Sequence, residues 1–232
     1  MTFLAAAVRG LTGFGMAIIL VPLLGIIIAP SQAVILAILL QLMIGPVGFR
    51  QSLAQCERPS SFIIVACAIL STPIGLWVLF QTPADIARLI IAAIAVAAFI
   101  LVIIPKSPHG RPRLLVTIGA GAAAGVLTGF AAMPGPPVVP YYLQGQVSPQ
   151  TARASMLVIF FATAITATIC SVAMGRITLA MAALALILLI PMLVGNWLGS
   201  KAFGKVTPTI WRSCVAILLG AAGISALWRA VN

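Results

Sequence analysis

Eight apolar segments separated by short polar breaks occupy almost the whole chain. They cover residues 2–28, 31–49, 60–80, 84–104, 114–144, 150–174, 177–199 and 207–228. Since about 20 helical residues cross a hydrocarbon core of roughly 30 Å, a chain of 232 residues has little left for a soluble domain. Lipid offers the backbone no hydrogen-bond partners, so the pattern predicts one all-helical transmembrane domain, 1–232.

Charged residues are few and unbalanced, with 13 Lys and Arg against 2 Asp and Glu. In a soluble protein this excess would indicate nucleic-acid binding. Here most basic residues lie between apolar segments, where they determine membrane topology, so we expect no nucleic-acid partner. The four cysteines have no paired spacing, and the lone His109 lies in a loop. We therefore expect no metal site and no cofactor.

A short motif occurs twice, as Gly10-Leu-Thr-Gly-Phe-Gly15 and as Val126-Leu-Thr-Gly-Phe-Ala131. Other residues match in the same order in both halves: Pro22 with Pro140, Gln32 with Gln150, Gly75 with Gly195, Trp77 with Trp197, and Thr82-Pro83 with Thr207-Pro208. The ordered series favours an internal duplication over coincidence. We divide the chain into a first repeat, 1–104, a linker, 105–113, and a second repeat, 114–232.

Both copies of the motif interrupt an apolar segment. Glycines let the backbone leave the helix, and the prolines of Met133-Pro-Gly-Pro-Pro137 prevent its continuation. The first arm, Thr2 to Thr12, has 11 residues and reaches about 16 Å, half the hydrocarbon thickness. If each interrupted segment turns back, each repeat is a re-entrant or broken hairpin plus three transmembrane helices. An odd number of spans makes the two repeats inverted, whereas eight full spans would make them parallel.

The distribution of basic residues favours the hairpin topology. It places nine basic residues on one side, Arg50, Arg58, Lys106, Arg111, Arg113, Arg153, Lys201, Lys205 and Arg212, against three on the other, Arg88, Arg176 and Arg229. With eight full spans the same residues divide seven against five. Because Lys and Arg accumulate on the cytoplasmic side, we expect a cytoplasmic linker and both termini outside.

Two helix breaks near the midplane suit an anion, because helix N-termini present free N–H groups and partial positive charge there. The candidate substrate-binding residues are Arg9, Thr12, Gly13, Phe14, Gly15, Gln41, Thr128, Gly129, Phe130, Met133, Pro134, Gly135 and Asn196. Kinks or tight packing of Gly119, Gly121, Gly125 and Gly129 are the structural alternative.

Individual side chains leave alternatives open. Arg9 either faces the cavity or extends to the membrane interface, and Phe14 and Phe130 either close the cavity or face lipid. Thr12, Thr128, Gln41, Ser155 and Asn196 can donate hydrogen bonds to an oxyanion, although packing between helices is their commoner use. For Arg153, at the start of a helix, the interface is the favoured position.

The distribution of carboxylates bears on the driving force. Asp85 starts a helix and Glu57 lies in a loop, so no span carries a carboxylate for a proton or sodium relay. An anion leaving a cell that is negative inside needs no coupled ion, which favours potential-driven efflux. A passive anion channel is the main alternative. A membrane-embedded phosphatase or lipid enzyme is disfavoured, because it would need a buried base or metal ligands.

The chain resembles the TauE/SafE sulfite exporter-like family over nearly its whole length. The likeness rests on the stretch from Arg9 to Pro22 and on the stretches from Gly129 to Tyr142 and Ser148 to Ser155. It implies a multi-pass permease of the bacterial inner membrane for sulfite, sulfonates such as sulfoacetate, or related anions. A small anion and membrane lipid are then the expected partners, and a homodimer is compatible with the sequence.

Overall fold

Every regular element in the described part of the chain is an α-helix. The computed structural model describes residues 1–103, 112–144 and 147–202; the predicted segment 207–228 and most of the predicted linker lie outside them. The first repeat contains α1 (Thr2–Thr12), α2 (Met16–Leu24), α3 (Pro30–Ile44), α4 (Phe49–Gln55), α5 (Arg58–Gln81) and α6 (Ala84–Ile103). The second contains α7 (Leu114–Ala131), α8 (Gly135–Gln144), α9 (Pro149–Ala173) and α10 (Leu179–Ala202).

Several of these helices have the length and apolarity of membrane spans. Among the described residues, α5, α7, α9 and α10 are long and apolar enough to cross a membrane. The pair α3 and α4 would make a fifth span, but the two helices are bent by 81° relative to each other. The predicted all-helical membrane fold with interrupted helices is therefore confirmed. The bend was not predicted, because residues 31–49 read as one apolar segment.

The two predicted interruptions are both present, but the second lies after its motif. The first apolar segment divides into α1 and α2 at Gly13–Gly15, as predicted. The second divides into α7 and α8 at residues 132–134, so the second Leu-Thr-Gly-Phe copy lies inside α7. The prediction that this copy forms the break was wrong, since the helix continues to Ala131 and stops only where Pro134 removes a backbone donor.

Packing between the two halves is reciprocal. The first helix of each half lies along the helix of the third apolar segment of the other half: α1 along α10, and α7 along α5. The matched glycines make both contacts close, because a Cβ atom at Gly75 would lie 2.1 Å from the Val126 carbonyl oxygen and one at Gly195 would lie 2.3 Å from that of Phe3. Only glycine allows backbones to approach this closely.

Hydrogen bonds show where the second interrupted segment ends. The Tyr141 hydroxyl lies 2.9 Å from the Thr117 hydroxyl, near the start of α7. The Tyr142 hydroxyl lies 3.0 Å from Ser60 Oγ and 2.8 Å from Ser61 Oγ, near the start of α5. The end of α8 therefore returns to the side on which α7 and α5 begin, as in a hairpin. In the first interrupted segment, formed by α1 and α2, the Arg88 side chain donates to the Gly25 carbonyl oxygen at 2.9 Å. This bond holds the end of α2 near the start of α6.

Candidate functional site: two helix breaks and a polar vestibule

The first break is a tight turn made by two glycines with left-handed backbone geometry. Gly13 ends α1 with φ 83°, and Gly15 precedes α2 with φ 92°. A residue with a side chain would be strained at either position. The Thr12 hydroxyl accepts a hydrogen bond from the Phe14 amide at 3.2 Å and donates to the Val8 carbonyl oxygen at 2.8 Å. Thr12 therefore supports the turn and holds Phe14 in place.

The second break has a different construction. The left-handed residue after α7 is Ala132, with φ 57°, and α8 starts at Gly135. The amide of Gln41, on α3, donates to the Ala132 carbonyl oxygen at 2.9 Å. Because Gln41 is buried, this bond satisfies an oxygen that the interrupted helix leaves without a partner and ties the break to α3.

The two breaks meet at one small pocket, which we call the break pocket. It is lined by residues from both breaks together with α1, α2, α3, α8 and α9: Arg9, Phe14, Gly15, Met16, Ala17, Ile18, Gln41, Ala132, Met133, Pro134, Gly135 and Phe160. Its volume of about 20 Å³ holds one or two water molecules. A sulfite ion would not fit without movement of the surrounding helices.

The two helix N-termini at the break pocket are unequal as anion ligands. The first turn of α2 carries ordinary amides, starting at Met16. The first turn of α8 contains Pro136 and Pro137, which have no N–H group. The backbone donors for an anion therefore come mostly from α2, and the two halves contribute unequally to the site.

A larger cavity, which we call the vestibule, lies where α4, the start of α9 and the end of α10 meet α1. Its volume is about 440 Å³, and its lining is largely polar: Arg9, Val47, Gly48, Gln51, Ser52, Gln55, Gln150, Arg153, Ala154, Leu157, Asn196 and Ser200. Arg9 lines both the vestibule and the break pocket. The same residue therefore lies between the two cavities.

Both arginines of the vestibule bond to uncharged oxygen atoms. Arg9 is 8% exposed, and its Nη1 donates to Asn196 Oδ1 at 3.1 Å. Arg153 Nη2 donates to the Gly10 carbonyl oxygen at 2.7 Å. Of the two carboxylate side chains in the sequence, Asp85 pairs with Arg88 and Glu57 caps the start of α5. The two guanidinium groups place positive charge at the vestibule, which suits an anion.

Eight of the predicted site residues line one of the two cavities. Those at the break pocket are Arg9, Phe14, Gly15, Gln41, Met133, Pro134 and Gly135; Asn196 lines the vestibule. Of the two positions open for Arg9, the structure has the cavity-facing one. The hydrogen bonds of Asn196 and Gln41 go to protein groups, Arg9 and the Ala132 carbonyl, as in the packing alternative considered above.

The other five predicted residues have structural contacts. Thr12 supports the first turn, and Gly13 lies against the Arg153 side chain, whose Cγ atom would be 2.6 Å from an added Cβ. The Thr128 hydroxyl donates to the Ala124 carbonyl oxygen within α7 at 2.7 Å. Gly129 packs against α5, as in the tight-packing alternative, and Phe130 lies in the buried core.

The sequence analysis missed several residues of the vestibule. Arg153 was assigned to the membrane interface, but the structure places it at the cavity, because the first turn of α9 packs beside the end of α1. Gln51 and Gln55 were also missed. Their spacing of four residues puts both on one face of a helix, and that signal was available in the sequence. In the described residues no group of three or more His, Cys, Asp or Glu residues could hold a metal ion.

Comparison with known proteins gives one match. A family model described as "Sulfite exporter TauE/SafE" matches residues 1–226. No curated protein and no solved structure is significantly similar to the chain. The matched range contains both helix breaks, the break pocket and the vestibule.

Proposed function

The chain belongs to the TauE/SafE family of membrane sulfite exporters, and we propose that it transports sulfite, sulfonates or similar small anions through the vestibule and the break pocket. The observation that carries this proposal is the position of Arg9. The residue lines both cavities, and its buried guanidinium group bonds to a neutral oxygen, so it has capacity to bind an anion near the junction between them.

Alternating access is the mechanism that these cavities support best. The vestibule is open and wide, whereas the break pocket beyond it is too small for sulfite. A passive channel needs a continuous path in its conducting state. A closed constriction between two hinged helix breaks favours a transporter in which the breaks move to admit the substrate.

We further propose that the two repeats are inverted and that the vestibule faces the cytoplasm. The reciprocal packing of α1 on α10 and of α7 on α5 supports a two-fold relation between the halves. Arg50, Arg58 and Lys201 lie on helices or helix ends next to the vestibule, and the positive-inside rule assigns that side to the cytoplasm. An exporter in the inner membrane would then load its substrate from this side.

The driving force in this proposal is the membrane potential. Each elementary charge that leaves a cell with 100 mV across its membrane gains about 2.3 kcal/mol, equivalent to about a 50-fold gradient of a monoanion. The two carboxylates of the sequence lie at helix starts, Glu57 before α5 and Asp85 in the first turn of α6. Neither position is suited to a proton or sodium relay near the midplane.

Flux measurements in vesicles test this function. Purified protein in liposomes should give saturable sulfite and sulfonate flux that increases with an imposed potential. Replacement of Arg9 by Gln should lower the flux at least tenfold, because a charge-assisted hydrogen bond contributes about 1.5–3 kcal/mol. The matched variant Arg50→Gln removes an exposed charge on α4 and should transport normally.

Two results would contradict the proposal in different ways. Flux that rises linearly to high millimolar concentration would indicate a channel. Equal flux in wild type and Arg9→Gln would remove the two cavities from the transport path.

A further inference from the structure

We propose that Arg9 and Arg153, with their acceptors Asn196 and the Gly10 carbonyl, form a latch that the transported anion opens. In this arginine latch, the anion binds the guanidinium groups in place of their protein acceptors and so frees α1 to move. The inference rests on the proposed function, because it assumes that an anion enters the vestibule.

The latch joins α1 to both helices beside it. Arg9, on α1, bonds to Asn196 on α10, and Arg153, on α9, bonds to Gly10 on α1. Both bonds lie on the side of α1 that faces the vestibule. The residues of α1 that form them, Arg9 and Gly10, are within four residues of its end at Thr12. The Arg153 side chain also lies directly against Gly13, the first hinge residue, where a Cβ atom would be 2.6 Å from its Cγ. Movement of α1 therefore requires both arginines to change partners.

An anion is a stronger acceptor than either present partner. With an oxyanion the guanidinium group gains the attraction between two opposite charges in addition to the hydrogen bond, and the contact can be bidentate, whereas a neutral oxygen offers only a dipole. The amide oxygen of Asn196 and the backbone oxygen of Gly10 are both uncharged. Because both arginines line a cavity of about 440 Å³, an anion can approach them without displacing a helix.

Opening of the latch would act directly on the first break. Gly13 and Gly15 are hinges with left-handed geometry, and Phe14 and Gly15 line the break pocket. When α1 is no longer bonded to α9 and α10, rotation at these glycines can widen the pocket that is too small in the latched structure. The substrate thus supplies the free energy that opens its own path.

Two substitutions of Asn196 separate a latch from an ordinary binding residue. Asn196→Ala removes the competing acceptor, so binding of sulfite and methanesulfonate, measured by calorimetry on the purified protein, should tighten roughly tenfold. Asn196→Asp keeps the shape but gives Arg9 a charged partner, so binding should weaken at least tenfold. If Asn196 instead donates to the anion, both variants bind more weakly, and this result would overturn the latch. Thr168→Ala, which removes one hydrogen bond elsewhere on α9, should bind like wild type.

Hydrogen exchange supplies a second readout that does not depend on affinity. Anion addition should speed amide exchange in residues 8–16 at least tenfold, both in the wild type and in Asn196→Ala, because the variant keeps the bond between Arg153 and the Gly10 carbonyl oxygen. Anion binding with unchanged exchange in both proteins would refute the latch while leaving the transport function intact. Absence of anion binding in the wild type would refute the proposed function, and the latch with it.

Discussion

The close contact between α7 and α5 yields a prediction in which one methyl group has opposite effects at two positions of the same helix. A Cβ atom at Gly129 would lie 2.3 Å from the Thr72 carbonyl oxygen and 2.5 Å from the Leu76 nitrogen. Ordinary van der Waals contact begins near 3.4 Å, so α7 would have to retreat from α5 by about 1 Å. A Cβ atom at Gly119 meets nothing within 4 Å.

The size of the difference follows from these distances. Alanine is preferred to glycine within a helix by about 1 kcal/mol, and this gain applies at both positions. Overpacking at Gly129 costs about 1–3 kcal/mol, since the opposing atoms belong to the backbone of α5 and cannot rotate away. We therefore expect Gly119→Ala to be slightly more stable than wild type, and Gly129→Ala to be about 1–3 kcal/mol less stable than Gly119→Ala.

The assay is reversible unfolding of both variants in mixed micelles by SDS titration, with helix content followed by circular dichroism. Sulfite binding should also weaken in Gly129→Ala, because α7 ends at Ala131 and carries the second break with it. Equal free energies of unfolding for the two variants would show that α7 and α5 do not approach as closely as described. Lost binding with unchanged stability would indicate that Gly129 contacts the substrate instead.

Three further variants, of which Gly175→Ala is a control, test how the breaks are held. Gly13→Ala and Gly175→Ala should each lose about 1–2 kcal/mol of stability, because both glycines have positive φ. Calorimetry should find weaker sulfite binding only for Gly13→Ala, because the added methyl group displaces Arg153. Equal sulfite binding by the two variants would argue against the contact between Gly13 and Arg153. Gln41→Leu should lower the free energy of unfolding by about 1–3 kcal/mol, because it leaves the Ala132 carbonyl oxygen without its donor. An unchanged free energy of unfolding would mean that another group donates to this oxygen.

The parts of the fold that could be predicted from sequence are those with local causes. Apolar length identifies the helices, and the left-handed glycines at 13 and 15 and the proline at 134 identify both interruptions. These signals act within a few residues and are independent of what packs nearby. The bend between α3 and α4 escaped the analysis, because the apolar pattern continues through it.

Site residues were harder to predict because their roles depend on contacts between distant segments. Gly13 and Gly129 occupy the same position of the repeated motif, yet the first forms the turn after α1 and the second packs inside α7 against α5. The difference arises because α7 continues through its motif to Ala131 and lies along α5. Arg153 was missed for a similar reason. Its sequence position fits a membrane interface, and only the packing of α9 beside α1 brings it to the vestibule.

The most direct test of the account is to locate a bound anion. Selenite is the heavier analogue of sulfite, and anomalous diffraction from crystals grown with it would reveal the selenium positions. We expect a peak in the vestibule within hydrogen-bonding distance of the Arg9 guanidinium group, on the path to the break pocket. Selenium peaks confined to the outer surface, with none at the vestibule or the break pocket, would contradict the claim that an anion passes between the two helix breaks.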